Sequence, residues 1–295
     1  MKKKLLAVIL AVIMFLLALG MTLYPLVSNW YYARHQSEIH TQYLEQMERA
    51  EDDTLARAKE LADAYNAALV PGTADDAYSR EVLQAASEDY EDLLNIAGNG
   101  IMGFVVIPKI SINLPIYHGT DSQTLAAGVG HLLGSSLPVG GFNTHAVLTA
   151  HSGMSSQKMF SDIDELKIGD LFYLEVLGET LAYQVDQIQT VLPEDTTYLQ
   201  IAEDEDLCTL VTCTPFGINT HRLLVRGERV SLEADTEDDF ADMEIPEAEA
   251  AGSTWERHYL LGIGLGLCLA ALMVVILLFV TRPRKKGRFE REKRA

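Results

Sequence analysis

The sequence predicts a mostly β domain, a barrel or a sandwich, preceded by a helical extension and flanked by two transmembrane helices. Three observations carry that expectation. Between Gly98 and Val230 short apolar segments recur: Ile101 to Ile107, Leu114 to Tyr117, Ala146 to Thr149, Leu171 to Leu177, Thr180 to Val191, Leu207 to Cys213 and Arg222 to Val230. Turns containing Gly, Pro or Asp separate them, and Leu177-Gly178-Glu179-Thr180 reads as a hairpin turn. From Ala33 to Leu69 the chain is charged, Ala-rich and free of Gly and Pro, which reads as a long helix or a helix pair. Leu5 to Leu23 and Leu260 to Val280 are apolar runs, each near the roughly 20 residues that a helix needs to cross a bilayer.

Taken in order, Lys2, Lys3 and Lys4 precede the first apolar run, and Arg282, Arg284, Lys285 and Lys286 follow the second. Basic residues at both outer ends place both termini in the cytoplasm and everything between them outside, by the positive-inside rule. Trp30, Tyr31 and Tyr32 after the first run, with Trp255 and Tyr259 before the second, fit an aromatic belt on the outer face. A cleaved signal peptide ending near Ala18-Leu19-Gly20 is the rival for the first run. The run continues past Gly20 to Leu23, which favours retention. The net charge of −19 is concentrated between the basic ends, where residues 5–280 hold 12 basic against 40 acidic side chains. Such a surface repels phosphate and excludes nucleic acid as a partner.

Ile39, Tyr43, Met47, Leu55, Leu61 and Tyr65 form a modest apolar stripe on the helical stretch, which is expected to rise from the membrane and to end at Val70-Pro71-Gly72-Thr73. A polar loop, Ala74 to Glu81, and a short helical stretch, Val82 to Ile96, lead into the β region. Within it, Lys158 to Leu166 carries Met159, Phe160, Ile163 and Leu166 at helical spacing and reads as a covering helix. Leu232 to Ala251 holds nine acidic residues and few bulky apolar ones, so it reads as an extended tether. The chain therefore divides into a basic tip and membrane anchor (1–28), an outer helical region with a polar loop (29–97), the β domain (98–231), an acidic linker (232–256), a second membrane helix (257–281) and a basic tail (282–295).

The chemistry concentrates in Leu207 to Gly227, LCTLVTCTPFGINTHRLLVRG. Cys213 ends one strand where it runs into a loop punctuated by Pro215, Gly217 and Asn219, and a second apolar strand begins at about Arg222. By strand parity Cys213 shares a face with Leu207, Thr209 and Val211, whereas Cys208 faces the other way with Leu210 and Thr212. A cysteine at a strand end is more often a packed small hydrophobe than a nucleophile, and Cys208 reads as core. Cys213 is different because Ala146 to Thr149 is another strand, which runs out through Ala150 to His151. A thiol needs a base or a cationic neighbour to be mostly thiolate near neutral pH, since its free value is about 8.5. His145 and His221 compete with His151 for the base role on spacing alone. Parity sets His221 opposite Arg222, and Arg226 on the same face as Arg222, where a salt bridge is the simpler role. His118 and His131 read as structural or surface residues. The third cysteine, Cys268, lies in the second apolar run, so no disulfide framework is expected. Neither zinc-ligand spacing nor a phosphate-binding glycine loop is present, and no cofactor is expected.

Thr209-Leu210-Val211-Thr212-Cys213 resembles the T-L-x-T-C signature of sortases, the membrane-bound cysteine transpeptidases of Gram-positive cell surfaces. Arg222, nine residues on, falls where that family carries its arginine, and His151 stands in the family's T-x-H-x-G setting. The resemblance spans about Gly98 to Gly227, including GNGIMGFVVIPKI, LPIYHGT, GVGHLLGSSLPVGG and GDLFYLEVLGETLAYQVDQI, and it is greatest for class C, the pilus-polymerising branch. It implies a closed barrel of eight strands, selects His151 over His145, and assigns catalysis to His151, Cys213 and Arg222. It also implies a lid, an Asp-Pro-aromatic loop that sets its aspartate near the arginine and its aromatic ring near the thiol. The nearest match here is Asp76-Ala77-Tyr78, with Ala in place of Pro, and Asp75 fits in a shifted register. The implied substrates are secreted proteins with an LPxTG-like C-terminal sorting signal, which for class C are pilins joined through a lysine amine. Anchoring of single proteins to peptidoglycan and simple peptide hydrolysis are the alternatives.

Overall fold

The computed structural model describes residues 2–69, 90–152, 157–215 and 217–231, together with 263, 264 and 266. Eight strands close into a barrel: β1 (Ile101–Ile107), β2 (Ile112–His118), β3 (Val129–His131), β4 (Thr144–Thr149), β5 (Leu171–Val176), β6 (Glu179–Val191), β7 (Asp206–Thr214) and β8 (His221–Val230). Around the barrel their order is β1, β2, β3, β4, β7, β8, β6, β5. The β2/β3 and β4/β7 neighbours are parallel and the others antiparallel. The apolar segments read from the sequence all become strands, with ends shifted by a residue or two. Only β3 escapes that reading, because three residues are too few for an alternating pattern to register.

Alternation sorts the side chains between the barrel lumen and its outer face. Val105, Ile107, Leu114, Ile116, Leu148, Phe172, Leu174, Val185, Cys208, Leu210 and Val225 fill the main core. Val147, Val191, Val211 and Leu224 form a separate apolar cluster, with Leu132 and Leu199 packed against it. Their parity on β4, β7 and β8 is opposite to that of Leu148, Leu210 and Val225, so this cluster lies on the outside of the barrel. Among the glycines with no room for a side chain is Gly227 of β8, where a Cβ would stand 2.6 Å from the Phe172 ring.

The helical extension is a pair, α1 (Lys2–Arg49) and α2 (Asp52–Ala68), which breaks at Ala50-Glu51. The second half of α1 does not rise away from the domain; it lies against the barrel. Tyr43 and Met47 pack on Ile101 and Phe104, and Tyr32 Oη donates to the Ala127 carbonyl at 2.8 Å, at the end of the short helix α3 (Ser122–Ala127). His40 is buried, with Nε2 hydrogen-bonded to the Glu175 carboxylate of β5. On α2, Asn66 accepts from Leu137 N at 2.7 Å and donates to the Leu137 carbonyl at 3.2 Å, which fixes the chain between β3 and β4. Of the apolar stripe, Leu61 remains exposed.

Two expectations are corrected. Among the described residues no helix is long and apolar enough to cross a membrane, which corrects the expectation of flanking transmembrane helices wherever the chain is described. The apolar run at the start of α1 does not end as a separate span. It continues through Pro25 into a polar half, with Gln36, His40 and Arg49, that docks on the barrel. The second run, like the acidic linker and basic tail, lies outside the described residues except at 263, 264 and 266. Lys158 to Leu166 is not a helix but a series of turns with a 3-10 turn at Ile163–Glu165. Met159 adopts a left-handed backbone, φ 44°, which interrupts helical hydrogen bonding. The stripe itself is core, since Met159, Phe160, Ile163 and Leu166 are all buried.

Candidate active site

Three neighbouring strands, β4, β7 and β8, carry the candidate residues. The antiparallel β7/β8 ladder sets Cys213 directly opposite Arg222 and Thr214 opposite His221. Directly opposed residues share a face, and here it is the outer one, because Val211 and Leu224 on the same parity lie in the outer cluster. On the other side of β7 the parallel ladder pairs Thr149 with Val211, and Ala150 N donates to the Val211 carbonyl at 3.1 Å. Two residues further along each chain stand His151 and Cys213. The register therefore brings His151, Cys213 and Arg222 to one end of the barrel from three adjacent strands. All three are half-buried, neither sealed in the core nor free in solvent.

Hydroxyl groups tie this end together. Thr212 Oγ1 donates to the Ala150 carbonyl at 2.8 Å, and Ser152 Oγ donates to the Cys213 carbonyl at 2.6 Å. Arg222 Nη1 donates to the His221 carbonyl at 3.2 Å and reaches the Asn219 carbonyl at 3.4 Å. Among the described residues no carboxylate pairs with it, so its guanidinium keeps donors for another group. Exposed Leu192, which follows the Val191 opposite Arg222, and exposed Ile218 in the β7/β8 loop leave apolar surface beside these groups.

The rival residues are engaged elsewhere. His145 is fully buried, with Nδ1 2.8 Å from the Gln200 carbonyl and Nε2 2.7 Å from Thr209 Oγ1. Its Nδ1–H must donate to the carbonyl, so Nε2 accepts from the threonine. Burial pushes its pKa down to about 4, and it stays neutral. His131 is likewise held between Tyr90 Oη at 2.7 Å and the Ser136 carbonyl at 2.9 Å, and burial pushes it down to about 4. His118 meets the Leu93 carbonyl at 2.7 Å. His221 rests beside Thr220 Oγ1 at 2.9 Å. Arg226 is committed to Asp186, with Nε 3.2 and 3.1 Å from the two carboxylate oxygens. Cys208 is buried, and burial pushes its thiol up.

Residues 105–230 match the family model described as the Sortase domain. The crystal structure of sortase C-1 from Actinomyces oris is 47% identical, over 61% of this chain and 99% of that one, with a TM-score of 0.56. The chain belongs to the sortase family. Sortase C of Streptococcus pneumoniae, a structure described in terms of catalysis and pilin substrate specificity, is 42% identical over 66% of this chain and 97% of that one, with a TM-score of 0.59. Sortase A of Streptococcus agalactiae serotype III (strain NEM316) is 27% identical over 223 residues, 75% of this chain and 83% of that protein.

This sortase is thus a cysteine transpeptidase that acts on proteins bearing a sorting signal, and its structural neighbours include class C enzymes. The lid pair, Asp76 and Tyr78, lies outside the described residues. Ser152 and Thr212 escaped the sequence reading. Thr212 sits inside the T-L-x-T-C signature, but its side chain points away from that of Cys213, and Ser152 before Gly153 reads only as loop. A cavity between α2 and residues 92–96, lined by Arg57, Leu61 and Leu93, shares no lining residue with this site. Among the described residues no cluster of His, Cys, Asp and Glu can hold a metal ion.

Proposed function

We propose that this sortase cleaves an LPxTG-like sorting signal between Thr and Gly and passes the acyl group to a lysine amine of a pilin, at the cell surface. Cys213 is the nucleophile, His151 the general acid and base, and Arg222 the electrostatic partner of the oxyanion. The observation that carries this reading is the direct pairing of Cys213 with Arg222 beside the strand that delivers His151.

The Cys213 thiolate attacks the threonine carbonyl, and the tetrahedral oxyanion that forms is held by the Arg222 guanidinium. His151, as the imidazolium, gives its proton to the departing glycine nitrogen as the carbon–nitrogen bond breaks. That leaves a thioester on Cys213 and a neutral imidazole. A lysine amine then attacks the thioester carbonyl, loses a proton to His151 and expels the thiolate. An isopeptide bond has formed and the starting charge state returns. The pilin description of the pneumococcal sortase C, at 42% identity, supports the choice of acceptor.

Intact-mass measurement of the enzyme incubated with a sorting-signal peptide tests the first half. The expected adduct equals the peptide up to its threonine, on the Cys213 peptide, and its absence would sink the reading. Resolving that adduct with pilin, with a wall-precursor amine or with water alone tests the second half. Faster resolution by pilin is expected, whereas a preference for the wall precursor would make this enzyme an anchor of single proteins.

A further inference from the structure

We propose that Ser152 is a positioning residue for this reaction, holding His151 and Cys213 in register through its hydrogen bond to the Cys213 carbonyl. The inference rests on the reading of that pair as the reacting groups.

Two chains leave the β4/β7 ladder here, and their backbones part. Ala150 N to the Val211 carbonyl is the last backbone bond between them among the described residues. Beyond it, β7 remains paired to β8 through Cys213 and Arg222. The other chain turns away, and the His151 carbonyl accepts from Phe160 N at 3.0 Å, an anchor on the turns that follow rather than on β7. His151 and Cys213 are therefore supported from opposite sides. Among the described residues only side-chain hydroxyls cross the gap: Thr212 Oγ1 to the Ala150 carbonyl, before His151, and Ser152 Oγ to the Cys213 carbonyl, after it.

The second of these reaches the nucleophile's own residue. A peptide unit is planar, so fixing the Cys213 carbonyl at 2.6 Å fixes the plane that leads to Thr214 and limits the rotation that would swing Cys213. A single hydrogen bond adds only modestly to net stability. Its effect on rate is larger, because a misplacement of about 1 Å at a reacting pair costs on the order of a hundredfold. Loss of Ser152 should consequently show in turnover and in the coupling between the pair far more than in folding.

The test compares the parent with Ser152→Ala, Ser152→Thr and His151→Ala in two assays. In peptide cleavage, Ser152→Ala is expected to lower kcat about tenfold with KM within about twofold, and Ser152→Thr to restore most of it. In the substrate-free assay, the rate of Cys213 alkylation by iodoacetamide is followed against pH. The Ser152→Ala profile is expected to move from the parent's toward that of His151→Ala, and the Ser152→Thr profile to stay with the parent. Parent and Ser152→Ala profiles that superimpose, or an unchanged kcat, would overturn the proposal. A parent that forms no thioester sinks the transpeptidation reading instead, while the alkylation profiles still decide whether Ser152 couples the two residues.

Discussion

The parallel β4/β7 ladder carries a histidine and a cysteine at each of its ends, and the two ends are opposite in character. At the covered end stand His145, opposite Leu207, and Cys208. The first is neutral and hydrogen-bonded through both nitrogens, and burial together with the nearby Asp206 carboxylate pushes the thiol of the second up. At the open end stand His151 and Cys213, six and five residues further along, both half-buried, with Arg222 directly opposite Cys213. The residue types are the same. Burial without a counter-charge favours the uncharged form of each group, so the covered pair is fixed as packing. Where the ladder runs out, water and a guanidinium are in reach and charge separation is possible. Position along one pair of strands separates the packed pair from the accessible one.

Exchanging the cysteines one at a time is the strongest way to break that comparison. Cys213→Ala should abolish thioester formation and lower signal-peptide cleavage by at least about a thousandfold. Cys208→Ala should leave turnover within about twofold and cost on the order of 1 kcal/mol, as a small cavity does. A Cys213→Ala enzyme that cleaves as fast as the parent would remove the distinction between the ends. Arg222→Lys comes next in size. It keeps the charge and loses the planar fork, and a fall in kcat of about a hundredfold is expected from losing an oxyanion donor. Near-parental turnover would show that only charge matters there.

The same ladder shows what could be read from the sequence. Alternation in LCTLVTC was enough to send Cys208 inward and Cys213 outward, and the structure separates them in that way. Spacing left His145, His151 and His221 open as bases, because it carries no information on which stretch of β4 a loop will cover. The Gln200 carbonyl that occupies His145 comes from fifty-five residues away. The Ser152 bond to Cys213 spans sixty-one residues, and no local pattern announces it. The mostly β architecture was legible because turns and apolar segments are local, whereas closure into a barrel rather than a sandwich came with the family resemblance. Hydropathy alone led the reading astray at α1, where one helix joins an apolar run to a polar half that packs on the barrel.

Acid should expose the covered histidines before it changes the core. In the unfolded chain His131 and His145 take up a proton near 6.5, whereas in the folded protein they do so only near 4. The unfolded state therefore binds more protons across that window, and stability falls as pH drops through it. Each ring contributes up to about 3 kcal/mol that is present above roughly pH 6.5 and gone near 4. Denaturant melts at pH 7 and pH 4.5 should show the loss, and His145→Asn should flatten it. An equal pH dependence in that variant would mean that His145 does not stay neutral in the folded protein.

The smallest expected effect separates the two arginines of β8. Arg226 shares the outward parity of Arg222, so position on the strand does not distinguish them. Their partners do, because Asp186 takes the Arg226 guanidinium, while Arg222 donates to carbonyls of its own loop. A partly exposed ion pair is screened by water and is worth about 0–1 kcal/mol. Arg226→Lys keeps the charge on Asp186 and should shift the denaturation midpoint only slightly, with cleavage within about twofold of the parent. Arg222→Lys alters turnover instead. If Arg226→Lys lowered kcat as far as Arg222→Lys does, the guanidinium that assists the reaction would have to be reached through both positions, and the carboxylate at 186 would belong to the site.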